Sequence, residues 1–327
     1  MENVQDGAAP RTTPIWTIRY AGYALPAILL ILVVIFSVLN PTTFPSLLTL
    51  NTLLRTESVA AILAIALIFP LVVGEFDLSV GANLGLGAIL VTGLTSQGIL
   101  TIWPAIVAAI AMCGLVGAIN GVLVARIGIN AMVATLGMSV IVTGSVLWYT
   151  QGNVFFDNIP IQLTDLADNS LLGVPMPAVF LAIVAFCAWY VLEQTPFGRY
   201  LHAVGSSKDA AALSGLNIRN LIFSSFLISG LLAGFSGVLQ AAALGSGNPN
   251  VGPAFLLPAF SAAFLGATAI KIGTFNVLGT IVAVFTVAVG ITGLQLMGVA
   301  FFVTPIFQGV ALIAAVTAAR FLRRQEL

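Results

Sequence analysis

The sequence predicts an all-α polytopic integral membrane protein of about ten transmembrane helices, several short or broken, with a candidate two-half internal repeat. Three observations carry this. Of 327 residues, 59% are hydrophobic and 7% charged, where a soluble domain carries roughly a quarter charged. Apolar stretches approaching the roughly 20 residues that cross a bilayer recur along the whole length. The polar and basic residues gather in the segments between them.

The elements follow in order. MENVQDGAAPRTTP is polar and lacks the basic, apolar, small-residue order of a cleaved signal peptide, so 1–19 reads as a tail and the first span, near 20–39, as retained. LLTLNTLLRT reads as a separate short helix before a second span near 57–73. GEFDLSVG, residues 74–81, turns the chain into a third span near 80–96. Spans near 103–124 and 131–150 come next, then a polar loop, 151–174, and a span near 175–192. After the loop 193–218 come spans near 219–245, 254–270, 275–293 and 298–319, and a tail, 320–327. Pro26, Pro70, Pro104 and Pro305 fall inside or at the edges of spans, where neighbouring groups can satisfy the freed carbonyls. FDLSVGANLGLGAILVTGL and FNVLGTIVAVFTVAVGITGL share an aromatic–Asp/Asn start, an early Gly and a Gly-Leu end; they motivate the two-half repeat.

Charge orients the spans. Arg11 and Arg19 precede the first span, Arg199, Lys208 and Arg219 lie in and beside the 193–218 loop, and Arg320, Arg323 and Arg324 follow the last span. No Lys or Arg occurs between Arg126 and Arg199, a stretch that holds Asp157, Asp165 and Asp168. The positive-inside rule puts both termini, Arg126, Lys271 and the 193–218 loop in the cytoplasm and 151–174 outside. Arg55 falls on the outer side beside Glu57, and a local ion pair is the expectation. Cys113 and Cys187 sit in apolar runs as small core residues, and His202 reads as a solvated loop residue. Zero net charge argues against a nucleic-acid partner.

GEFDLSVG poses a question, because Glu75 and Asp77 stand between oily spans with no Lys or Arg near them in sequence. Asp77 can cap the next helix by accepting from the N–H of Ser79 or Val80, and its charge suits that helix's positive end. Gly74 and Gly81 permit a tight turn and close packing. A solute-lining or gating role and a proton relay stand as alternatives.

GEFDLSVG resembles the G-x-D-L-S-V-G signature of the inner-membrane permease subunits of ribose-type sugar ABC importers, within the branched-chain amino acid/ribose permease superfamily. NGVLVARIGINAMVATLGM (120–138), TPFGRYLHAVGSSKDAAALSGLNI (195–218) and LGATAIKIGTFNVLGT (265–280) resemble further segments of that family in order and spacing. Together they cover most of residues 55–319. Glu75 stands where many members carry Gly, and FLLPAFSAAFLGATAIKIGTFN departs from the commoner acidic, Gly-rich form.

Residues 195–218 point the same way on their own chemistry. TPFG stops the preceding span, and SSKDAAALSG reads as a short helix with Ser206 as N-cap, Asp209 at N3 and Gly215 at C′. About eight residues of helix are marginal in water and need a surface to dock on. Ala210, Ala211 and Ala212 give a smooth face for it. The resemblance implies that this segment, with Gly198, Arg199, Gly205, Ser206, Asp209, Ala210, Ala211, Ser214 and Gly215, couples to an ATPase. Candidate pathway residues are Glu75, Asp77, Ser79, Asn83, Asn120 and Thr135, each of which can equally cap a helix or bond between helices.

No G-x-x-x-x-G-K-[ST] motif and no catalytic His/Asp/Ser or His/Cys cluster is present, so no enzyme, metal site or bound cofactor is expected in this chain. The resemblance implies ATP and Mg on a separate cytoplasmic ATPase, an extracytoplasmic sugar-binding protein, a second copy of the permease or a paralogous one, and a bacterial inner membrane with its lipid. It implies import of a monosaccharide. A polyol, nucleoside or small signalling molecule is the alternative cargo. An ion-coupled secondary transporter and a non-transporting scaffold are the rival classes.

Overall fold

The computed structural model describes residues 22–300 and 302–324. The tail 1–19, with Arg11 and Arg19, and residues 325–327 lie outside the described residues. Among the described residues thirteen α-helices run in the order α1 (Ala24–Leu39), α2 (Leu47–Val72), α3 (Val80–Ser96), α4 (Ile102–Val122), α5 (Ala131–Thr150), α6 (Ile161–Asp168), α7 (Met176–Trp189), α8 (Pro196–Ser206), α9 (Lys208–Leu213), α10 (Ile218–Leu244), α11 (Gly252–Gly266), α12 (Val277–Leu296) and α13 (Val303–Arg324). π turns extend α4 through Leu123–Ile127 and α7 through Tyr190–Gln194.

Six of these helices are long and apolar enough to cross a membrane: α2, α4, α5, α7, α10 and α12. α1, α3, α11 and the Val303–Ala314 part of α13 are shorter and apolar. The chain is an all-α, multi-pass membrane protein.

α2 and α10 form the centre. From Ser58 to Val72 every residue of α2 is buried, the pattern of a helix apolar all round that is enclosed by others. α10 packs along α4 through small residues. A Cβ on Gly117 would come 2.3 Å from the carbonyl oxygen of Phe226, so the two backbones meet only because that side chain is absent. Leu30 and Val34 of α1, Val140 and Ile141 of α5, and Ile183 and Phe186 of α7 are exposed, as a lipid-facing shell requires.

The two ends differ. At one, α8 lies across the end of α2, Lys208 of α9 pairs with Glu75, Arg126 stacks over Phe223 at the start of α10, and Lys271 pairs with Glu193. At the other lie α6 and a two-residue hairpin, Ser170–Leu171 with Val174–Pro175, turned by Leu172 and Gly173 at positive φ.

Four local expectations change. LLTLNTLLRT is the start of α2 and not a separate helix, because polar side chains interrupt hydropathy without interrupting backbone hydrogen bonding. The 151–174 loop contains α6 and the hairpin. Arg55 pairs with Asp168 on α6 rather than with Glu57, and also donates to the carbonyl of Ala243 at 3.2 Å. Cys113 is buried, but Cys187 is exposed on the outward face of α7, and both are free thiols.

The two similar segments open alike. Asp77 precedes α3, and Asn276 caps α12 by accepting from the N–H of Gly279 at 2.7 Å. The preceding aromatics, Phe76 and Phe275, both pack on Phe264, at centroid distances of 6.2 and 5.4 Å.

Candidate functional site

The site is built on the break between α2 and α3. Gly74, at φ +83°, turns the chain out of α2, and Asp77 receives it. Asp77 Oδ1 accepts from the backbone N–H of Ser79 at 3.0 Å and from its hydroxyl at 2.6 Å, while Oδ2 accepts from the Ser229 hydroxyl at 2.8 Å. The helix boundary residue is Ser79, so Asp77 organises the turn ahead of the helix rather than standing at the N-cap. Asn120 Nδ2 donates to Ser79 Oγ at 2.8 Å, and Thr135 Oγ1 accepts from the N–H of Leu78 at 3.0 Å. One turn into α3, Asn83 donates to the carbonyl of Cys113 at 3.0 Å.

These contacts tie the break to α4, α5 and α10 at once. Ser229 stands eleven residues into α10, about 16 Å along it at 1.5 Å per residue, so Asp77 is held well inside the bundle. Asp77, Ser79, Asn83, Asn120 and Thr135 are all buried. The arrangement is a polar latch: four elements meet on one loop through groups that have few other partners in an apolar surround.

Glu75 points the other way. Its carboxylate meets Lys208 Nζ at 2.5 Å, across 133 residues of sequence. This answers the question the motif poses, because the missing base is supplied by α9. Lys208 carried no signal for this role beyond being a base in the loop.

Thr195 Oγ1 caps α8 by accepting from the N–H of Gly198 at 3.3 Å, with Pro196 at the first helical position. Leu201 and Val204 are buried on its inner face. A Cβ on Gly205 would lie 1.8 Å from the carbonyl oxygen of Val72, and one on Gly198 would lie 2.1 Å from that of Leu192. α8 therefore sits directly on the end of α2. Ser206 is the last residue of α8; the N-cap of α9 is Ser207, which accepts from the N–H of Ala210 at 3.2 Å. The tight α8–α9 junction moves the cap by one residue and leaves a helix of six residues, not about eight. Gly215, at φ +80°, closes it as the C′ residue.

The faces of α9 also differ from the expectation. Ala211 is buried against the protein itself, while Leu213 is 91% exposed. Ala210, Ala212, Asp209, Ser214 and Arg199 are exposed at the same end. Burial, then the nearby Lys271 ammonium, hold His202 below the ordinary histidine range against the opposing pull of Glu193. His202 is thus half-buried on α8 rather than solvated.

A cavity of about 540 Å³ lies apart from the latch, between α2, α11, α12 and α13, and Glu57 lines it. None of the six pathway candidates does. Among the described residues no group of three or more His, Cys, Asp or Glu side chains converges on a metal site.

The family described as branched-chain amino acid transport system / permease component matches residues 49–316. The ribose import permease protein RbsC of Haemophilus influenzae is 31% identical over 303 residues, 91% of this chain and 93% of its own length. Its Escherichia coli K12 counterpart is 33% identical over 302 residues, 88% and 90% of the two chains. The D-allose transport system permease protein AlsC of the same organism is 29% identical over 297 residues, 91% of each chain. No solved structure matches. The chain belongs to the branched-chain amino acid transport system / permease component family, and is a transport permease rather than an enzyme.

Proposed function

We propose that this chain is the transmembrane permease of a binding-protein-dependent ABC importer, carrying a monosaccharide across the bacterial inner membrane. The names of its relatives, ribose and D-allose permeases, support the cargo class. Relatives named for autoinducer 2 import, 30% identical, support a small signalling molecule as the second reading. All ten longer apolar helices cross the membrane in this reading, both termini are cytoplasmic, and α8 and α9 face the cytoplasm. Two copies, or this chain and a paralogue, form the pathway. A separate ATPase holds ATP and Mg, and an extracytoplasmic binding protein docks at the α6 end.

One observation carries the mechanism. α9 exposes Leu213 outward and holds Glu75 inward through Lys208, so it joins an external partner to the α2–α3 break. The next residue, Phe76, stacks on Phe260 and Phe264 of α11 at 6.3 and 6.2 Å. The opposite face of α11, through Pro258 and Ala262, walls the cavity. Motion imposed on α9 is thereby delivered to the cavity wall through contacts already formed.

Two outcomes test this. Leu213→Asp removes an exposed apolar side chain from a helix it does not stabilise, so folded yield stays at the wild-type level. Co-purification with the ATPase falls about tenfold or more, since a central apolar anchor at an interface carries roughly 2 kcal/mol. Undiminished co-purification and ATP-driven uptake of D-ribose or D-allose sinks the docking role. Lys208→Glu sets two carboxylates against each other and lowers uptake about fivefold, the scale of a partly exposed ion pair of about 1 kcal/mol. Adding Glu75→Lys restores it. If the double variant is no better than the sum of the single ones, the pair is not part of the coupling.

A further inference from the structure

The cavity between α2, α11, α12 and α13 has a consistent design. α2 presents positions 49, 52, 53, 56, 57 and 60 to it, and α12 presents 284, 287, 288, 291, 292 and 295. Both sets follow the i, i+3, i+4, i+7, i+8, i+11 pattern, so one unbroken face of each helix lines the space. Polarity is graded along those faces. The polar side chains gather at the mouth, at the start of α2 and the end of α12, where Thr49, Thr52, Thr56, Glu57, Thr292 and Gln295 stand among Leu48, Leu53, Ile291 and Leu296, while the floor carries Ala60, Val284 and Ala288 from these helices. α13 adds Thr304 and Gln308 near the mouth, and Gln295 already donates to Thr304 Oγ1 at 3.2 Å.

Glu57 is the informative residue. It stands ten residues into α2, about 15 Å along the helix, and among the described residues it has neither a hydrogen-bond partner nor an ion pair. An ionisable side chain at such a position is tolerated where it faces a water-filled cavity, and it marks a solute path. The neighbouring base, Arg55, is committed to Asp168 on another side of the helix.

We infer that this cavity is a solute-binding vestibule for a neutral, polyhydroxylated small molecule of monosaccharide size. It rests on the importer reading above and deepens it. The volume falls within the roughly 300–1,000 Å³ of small-molecule sites. The mouth offers hydroxyls, amides and one carboxylate, which accept and donate to a ring of hydroxyl groups. Among the described residues no Lys or Arg lines it, and Glu57 repels an anion. Among the described residues the lining side chains are aliphatic, hydroxyl, amide and carboxylate groups, which hold a neutral solute weakly. Weak holding suits a conduit that must release what it admits.

The test uses purified full-length permease in lipid nanodiscs, in a Cys187→Ala background with Thr56→Cys. A charged thiosulfonate reagent labels position 56, and D-ribose, D-allose, ribose 5-phosphate and choline are added as competitors. A site of about 1 mM affinity is roughly nine-tenths filled at about 10 mM probe, so the neutral sugars slow labelling roughly tenfold. Ribose 5-phosphate and choline leave it unchanged. Gln295→Leu, at an exposed position, weakens protection to about threefold by removing one hydrogen bond of about 1 kcal/mol. Glu57→Gln weakens protection by the neutral sugars, since a neutral amide oxygen accepts less strongly than a carboxylate, and lets ribose 5-phosphate slow labelling because the repelling charge is gone. An unreactive Cys at position 56, or labelling that no sugar slows, overturns the vestibule. Protection by choline that Glu57→Gln abolishes overturns the neutral class. ATP-driven uptake in cells carrying the whole importer is measured in parallel. Protection by sugars without uptake of any sugar sinks the importer reading and leaves the vestibule standing.

Discussion

Asp77→Leu leaves little folded permease, while Asp77→Asn folds and transports near the wild-type level. Leucine keeps the branched shape with more bulk and deletes the acceptor of three donors: the Ser79 amide, the Ser79 hydroxyl and the Ser229 hydroxyl. Asp77 is 1% exposed, so no solvent replaces what is lost. Each buried donor left without a partner costs about 1–3 kcal/mol, which puts the loss at about 3 kcal/mol or more. That is a large share of the stability of an ordinary fold. Asparagine keeps one acceptor oxygen for both Ser79 donors. Its amide nitrogen donates where Oδ2 accepted, and the Ser229 hydroxyl rotates to accept it. Gel-filtration yield and thermal midpoint in detergent read the fold, and uptake reads the function. A well-folded Asn variant without uptake shows that the charge itself is used, and a stable Leu variant shows that the latch holds nothing.

Much of the fold was legible because hydropathy reports burial and lipid contact directly. The third span, 80–96, coincides with α3, and 131–150 with α5. Where polar residues line a cavity, hydropathy misleads: Thr49, Thr52, Thr56 and Glu57 made the start of α2 look like a separate piece. α6 was missed because eight residues with a modest apolar face resemble a polar loop.

The site was legible by residue type and not by pairing. Asp77, Ser79 and Asn120 were recognisable as polar groups in apolar surroundings, but Ser229 lies 152 residues from Asp77, and nothing in its local sequence marks it as a partner. Lys208 and Glu75 were each visible, and only the fold brings them together. Ala211 and Leu213 show the same limit at closer range. A six-residue helix has no periodicity long enough to reveal which side faces inward, and the docking of α8 on α2 decides it.

Gly205→Ala abolishes coupled uptake, while a glycine on another helix, Gly144 of α5, tolerates the same change. The added Cβ would lie 1.8 Å from the carbonyl oxygen of Val72, where real contacts respect roughly 3.0 Å, so one backbone must retreat from the other. Neither has a soft side chain to yield. Val72 is the last residue of α2, whose preceding turns are wholly buried, so α2 holds its place and α8 lifts. Two contacts follow α8. Leu201 and Val204 lose burial on its inner face, and α9, joined to it through Ser207 alone, carries Lys208 away from Glu75. Buried apolar side chains are worth about 1.5–3 kcal/mol each, so a partial loss lowers the thermal midpoint by several degrees without unfolding the spans. Uptake falls further than stability does if, as proposed above, α8 and α9 are the route by which an ATPase acts on the break. Gly144, in the exposed part of α5 with no atom within 4 Å of an added Cβ and no positive φ, is the control, and Gly144→Ala leaves both readouts unchanged. Wild-type uptake in Gly205→Ala shows that α8 need not sit on α2 for coupling, whereas loss of uptake at an unchanged midpoint with retained ATPase binding places the defect in transmission along α8 and α9.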